Sequence, residues 1–168
     1  MAVMPEEILG EPLGKGRRVG IVAARFNQYV VTRLVDGAVK ALAKAGVKDG
    51  DVLLTWVPGA FEIPAAARHL AGSGRVDAVV TLGCVLKGET PHFDFVAGTC
   101  ADGVARLALE APVPVAFGVL TCLTLDQALA RSNSKGDNRG AHAALAALEM
   151  ANLAAKIGTP RKRSVAKS

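Results

Sequence analysis

The run Lys87-Gly88-Glu89-Thr90-Pro91-His92 carries the densest chemistry in this chain. A glycine-containing loop leading into a helix presents unpaired backbone N–H groups, and the helix dipole adds to their pull on an anion. Thr90 supplies a hydroxyl at the same place. Pro91 suits a first helical turn, where its missing N–H costs nothing. His92 follows at once. An imidazole titrates near neutrality and can pass protons at pH 7. Such transfers typically contribute about 10²- to 10⁴-fold to a rate. These residues read as an anion site with a proton carrier beside it. They also fit an ordinary capped helix start with a structural histidine. His69 and His142 fall inside helical patterns and read as structural.

Two further charged residues stand at element ends. Glu62 lies in the first turn of a helical stretch, where a carboxylate is favourable against the dipole and could also accept from ligand hydroxyls. Arg131 closes a short helical stretch before a polar turn. It suits bidentate phosphate binding, and it also suits a helix C-terminus as a bare charge. The chain has only 5 Phe, 1 Trp and 1 Tyr. All the Phe residues (26, 61, 93, 95 and 117) lie in or beside strand ends. That concentration suits a flat, stackable ligand, or rings that plug the sheet end. The common nucleotide cradles are missing from the sequence: no Gly-x-Gly-x-x-Gly follows the first strand and no Walker-type loop occurs. A serine nucleophile elbow is also missing.

Strands alternating with helices must position these groups. Arg17 to Ala24 reads as the first strand, and Asn27 is placed to cap the helix that follows, which Gly46 ends. Residues 51–57 form a second strand and 60–71 a helix. Residues 77–86 form a nearly all-apolar third strand, as a strand covered on both faces should be. A helix over 92–110 and a strand over 115–120 follow. A short helix over 125–131, a polar turn and an Ala-rich helix over 138–156 complete the pattern. This order predicts βαβ units with a parallel sheet and helices on both faces. The fold class is α/β: a three-layer α/β/α sandwich around a four-stranded parallel sheet. Ligands of such sheets bind beyond the carboxyl ends of the strands, where the candidates above sit.

The composition supports one domain. The chain has 168 residues, 51% hydrophobic and 21% charged, too apolar for a disordered chain. Its longest apolar run, residues 111–120, holds two prolines and is too short to span a membrane. We divide it into a polar lead-in (1–16), one domain (17–158) and a basic tail (159–168). The net charge of +5 falls to +1 without Arg161, Lys162, Arg163 and Lys167 of that tail. The basic footprint is therefore a tail, and neither a nucleic acid nor a membrane is expected as partner. The 3 Cys are widely spaced, with no Cys-x-x-Cys pair. No metal site is expected, and with no signal peptide the chain reads as cytoplasmic.

Four segments in this order resemble the lumazine synthase family. They are Arg-Phe-Asn at 25–27, Val-Pro-Gly-Ala-Phe-Glu-Ile-Pro at 57–64, Gly-Cys-Val-Leu-Lys-Gly-Glu-Thr-Pro-His-Phe-Asp at 83–94, and Glu-Met-Ala-Asn at 149–152. The resemblance covers roughly residues 17–156. It implies a flavodoxin-like topology and a transferase of riboflavin biosynthesis, acting on small-molecule substrates without a cofactor. The reaction implied condenses 5-amino-6-(D-ribitylamino)uracil with 3,4-dihydroxy-2-butanone 4-phosphate to give 6,7-dimethyl-8-ribityllumazine, phosphate and water.

The resemblance also implies roles. Phe26 would stack on the pyrimidinedione, and Ala60, Phe61 and Glu62 would line the ribityl side. Cys84, Val85 and Leu86 would meet the uracil edge through their backbones. Glu89 and Thr90 would hold the phosphate, and His92 would carry protons. Phe117 and Arg131 would reach in from a neighbouring subunit, Phe117 to the heterocycle and Arg131 to the phosphate. A homopentamer with sites between subunits is implied. A 60-subunit icosahedral shell and an association with riboflavin synthase are left open. Shell formers often read Gly-Thr-Lys-Ala-Gly-Asn before the last helix, where this chain reads Asn133-Ser134-Lys135-Gly136-Asp137-Asn138. The rival readings are a flavin or lumazine carrier and a shell-forming paralogue, each on the same fold without turnover.

Overall fold

A computed structural model describes residues 3–158. The basic tail lies outside the described residues. Four strands, β1 (Val19–Ala24), β2 (Val52–Val57), β3 (Ala78–Leu86) and β4 (Val115–Cys122), form one parallel sheet. Its order is β2-β1-β3-β4, the flavodoxin-like winding. Five helices accompany them among the described residues: α1 (Gln28–Lys44), α2 (Ile63–Ala71), α3 (His92–Glu110), α4 (Leu125–Arg131) and α5 (Arg139–Ile157). None of these helices is long and apolar enough to cross a membrane.

The apolar pattern explains the layers. β1 is buried at every position and β3 at all but its last, so each strand presents apolar side chains to both faces. On one face Ile21, Leu82 and Cys84 pack with Leu34, Leu42 and Leu148 of α1 and α5. On the other, Val22, Val79 and Val119 pack with Ile63, Ala67 and Cys100 of α2 and α3. Fully burying a Leu or Ile side chain is worth about 1.5–3 kcal/mol, so these two slabs dominate the fold's stability. At the opposite end of the sheet from the ligand-side loops, the Arg18 guanidinium holds Asp77 at 2.9 Å. It keeps that carboxyl below the usual carboxylate range and joins the starts of β1 and β3.

The three-layer sandwich and its parallel sheet are as the alternation predicts. Two local expectations fail. Asn27 does not cap α1: its backbone is left-handed, with φ 56, and its side chain makes no capping hydrogen bond. The amide Nδ2 donates instead to Cys84 O at 2.8 Å, across to β3. The predicted helix over 60–71 splits into a 3₁₀ turn (Ala60–Glu62) and α2. Pro64 accounts for the split, because it has no N–H to extend an α-helical ladder back over Ala60. The lead-in makes no helix or strand over residues 3–16. It lies along α5, where Asn152 Nδ2 donates to Glu11 O at 2.7 Å and Leu13 O at 2.8 Å.

α1 and α5 cross closely because Gly140 has no side chain: a Cβ there would overlap the Leu34 carbonyl. Ala normally exceeds Gly in helix propensity by about 0.8–1.0 kcal/mol. Gly140→Ala is expected to destabilise instead, by about 1–3 kcal/mol of overpacking. A lowered urea midpoint checks this, and an unchanged or raised midpoint contradicts the close crossing.

Candidate functional site

The winding places the site. α1 leaves β1 for one face of the sheet, while α3 leaves β3 for the other. The loops after β1 and β3 therefore diverge, and a crevice opens between them at the carboxyl ends. A cavity of about 560 Å³ lies there. Three loops line it. Phe26 and Asn27 come from the end of β1, Gly59 to Glu62 from beyond β2, and Cys84 to Leu86 with Gly88, Thr90 and His92 from β3 and its loop. Phe93 and Val96 close it from α3.

Most candidates named from the sequence meet here: Phe26, Ala60, Phe61, Glu62, Cys84, Val85, Leu86, Thr90 and His92. Phe26 is 71% exposed and Phe61 57%, so neither ring plugs the core. Both leave their faces open to a ligand. Ala60 is buried beneath them, and its small side chain keeps the floor low. His92 is the first residue of α3, preceded by Pro91 with φ −63. His92 is thus exposed at the helix N-terminus and lines the same cavity as Thr90. Glu89 lies in the same exposed loop, but its side chain does not line the cavity.

Burial disfavours the thiolate at all three cysteines, of which Cys84 lines the cavity. Burial pushes the Cys84 thiol up to about 12 and that of Cys100 to about 11. Cys122 is also raised by burial, an effect that Arg131 nearby partly offsets. A nucleophilic thiolate is therefore scarce at neutral pH. The Cys84 carbonyl accepts from Asn27 Nδ2, so the ends of β1 and β3 are tied where they flank the cavity. Lys87 stands 6.0 Å from the Phe93 ring, which faces the same space.

Phe117 and Arg131 are not brought to this cavity. They line a second one, of about 270 Å³, with Thr121, Cys122, Gln127 and Arg139. The two cavities share no lining residue. Phe95, though near His92 in sequence, lines neither and is 71% exposed. Sequence reasoning missed Val96 in the first cavity and Thr121, Cys122, Gln127 and Arg139 in the second. Their signal was proximity to the named motifs, and Arg139 reads simply as a charge beginning a helix. Asn27 was singled out for a different task.

Comparison with known proteins gives a consistent answer. Residues 16–155 match the family described as 6,7-dimethyl-8-ribityllumazine synthase. The chain is 51% identical over 156 residues to the 6,7-dimethyl-8-ribityllumazine synthase of Anaeromyxobacter sp. (strain Fw109-5). That match covers 91% of this chain and 96% of the relative. Both cavities fall within the matched residues, and the chain belongs to the 6,7-dimethyl-8-ribityllumazine synthase family.

Proposed function

We propose that this chain condenses 5-amino-6-(D-ribitylamino)uracil with 3,4-dihydroxy-2-butanone 4-phosphate, releasing 6,7-dimethyl-8-ribityllumazine, phosphate and water in riboflavin biosynthesis. The family membership supports the reaction. The observation that carries it to residues is the cavity at the sheet's carboxyl end, lined by the exposed Phe26 and Phe61 together with Thr90 and His92.

The chemistry makes modest demands on the protein. The substrate's 5-amino group attacks the ketone and a first water leaves, forming an imine. The hydroxyl-bearing carbon then loses a proton, phosphate departs with the electrons of its C–O bond, and the resulting enol tautomerises to a ketone. The ribityl-bearing nitrogen closes the ring on that new carbonyl and a second water leaves. No enzyme nucleophile is needed, which suits thiols held protonated by burial. The protein's tasks are alignment, worth up to about 7–11 kcal/mol, and stabilisation of a departing anion. It must also transfer protons. In our reading Phe26 stacks on the pyrimidinedione, while Ala60, Phe61 and Glu62 face the ribityl chain, with the Glu62 carboxylate accepting from its hydroxyls. The backbones of Cys84, Val85 and Leu86 meet the uracil edge. Glu89 and Thr90 hold the phosphate, and His92 moves the protons.

Arg131 and Phe117 enter this scheme only across an interface. They line a separate cavity of their own chain, so they would complete the site of a neighbouring copy. A head-to-tail ring sets one face of each subunit against a different face of the next. We therefore propose a homopentameric ring. The proposal stops at the ring and includes neither a 60-subunit shell nor an association with riboflavin synthase. Cytoplasmic placement belongs to the same proposal and accords with three free, buried thiols.

Mixing purified protein with both substrates should produce lumazine absorbance and release phosphate. Tight flavin binding without turnover would overturn the synthase reading in favour of a carrier. His92→Ala should slow kcat by about 10²-fold, the low end for acid–base loss, because alignment survives. An unchanged rate removes His92 from the mechanism. Arg131→Ala should raise KM for the butanone phosphate by about tenfold, as loss of a charge-assisted contact does. An unchanged KM sinks its role. Cys84→Ala should retain turnover, and the native Cys84 thiol should resist iodoacetamide at pH 8. Rapid alkylation there would contradict its buried, protonated state.

A further inference from the structure

Arg33 lies on α1, lines neither cavity, and reads in sequence as part of a polar helix face. In the structure it is half-buried and committed at both ends. Its side-chain Nε donates to Ser132 O at 3.1 Å and Ser132 Oγ at 3.3 Å. Its backbone carbonyl accepts from Asn138 Nδ2 at 3.0 Å. Ser132 and Asn138 face each other in an isolated antiparallel bridge, and both are buried, at 0% and 4% exposure. Asn138 also caps α5, its Oδ1 accepting from Ala141 N at 3.0 Å. The loop between α4 and α5 is thus closed at a neck, and both sides of the neck are fastened to one residue of α1. Gly37 makes the room, since a Cβ there would overlap the Asn138 amide.

Arg131 is the residue before this neck. Its own restraint is slight: Nη1 donates to Gln127 O at 3.1 Å, on an exposed side chain. An arginine immobilised on binding loses rotamer freedom, and more if its backbone must also be ordered. A backbone already fixed at the next residue removes part of that cost.

We propose that Arg33 is a positioning residue for Arg131: acting through Ser132 and Asn138, it holds the α4–α5 neck so that Arg131 receives the phosphate of the butanone substrate in a fixed orientation. This rests on the role given to Arg131 above. The test is a double-mutant cycle of Arg33→Met and Arg131→Ala, reading KM for each substrate, kcat and the melting temperature. Arg33→Met should raise KM for the butanone phosphate about three- to tenfold, the scale of lost hydrogen bonds. KM for the pyrimidine should not change. Arg33→Lys, which keeps a donor, should recover part of the loss. In the Arg131→Ala background, Arg33→Met should add nothing to KM. Additive effects, or a lowered melting temperature with both KM values unchanged, would overturn the proposal. An unchanged KM in Arg33→Met beside a raised one in Arg131→Ala defeats this inference alone. An unchanged KM in Arg131→Ala defeats the reading beneath it. Should Arg33→Met fail to fold, Asn138→Asp carries the same comparison, keeping the cap acceptor while losing the Nδ2 donor.

Discussion

One hydrogen bond, from Asn27 Nδ2 to Cys84 O, spans the point where the winding of the sheet reverses. β1 and β3 are neighbours, but the helices that follow them, α1 and α3, leave to opposite faces. The strand ends must part there, and an untethered crevice would let the two loops move independently. Asn27 closes it at the base. The residue accepts a left-handed backbone to do so, a conformation that Asn tolerates better than most side chains. Phe26 precedes it and Cys84 begins the opposite wall, so the same bond sets the distance between the ring and the backbone facing it.

The packing behind the crevice serves this geometry. Two slabs of Val, Ile, Leu and Ala hold β1 and β3 between them, and neither strand has a polar face to satisfy. Small residues let α5 lie close on α1, which brings the α4–α5 connection against Arg33. The result is two groups of candidate site residues on one chain, lining separate cavities. A site built from both needs a second copy.

The sequence showed the elements well because their signals are local. Apolar runs gave β1 and β3, and helical spacing from Val30 to Leu42 gave α1. The three loops of the first cavity were legible because they hold nearly all the scarce aromatic and titratable residues near strand ends. What escaped was non-local. Nothing around Asn27 says that its amide reaches a carbonyl on another strand rather than its own helix. Pro64 did carry a local warning of the 3₁₀ turn, since it sits inside a stretch that otherwise reads as helix. Arg33 and Arg139 look like surface charges until the α1–α5 crossing brings them to the neck and the second cavity. The tempting net charge of +5 was mostly tail and said little about the site.

The central claim is that each active site joins the first cavity of one subunit to Arg131 of another, and subunit mixing tests it most directly. A Phe26→Ala/His92→Ala chain and an Arg131→Ala chain would be co-refolded, with wild type refolded alongside as the control. Random mixing pairs an intact cavity with an intact arginine at about one interface in four. The account predicts turnover in the mixture well above either parent, approaching that fraction of the wild-type value. Activity no higher than the average of the two parents would show that both halves act within one chain and would contradict it.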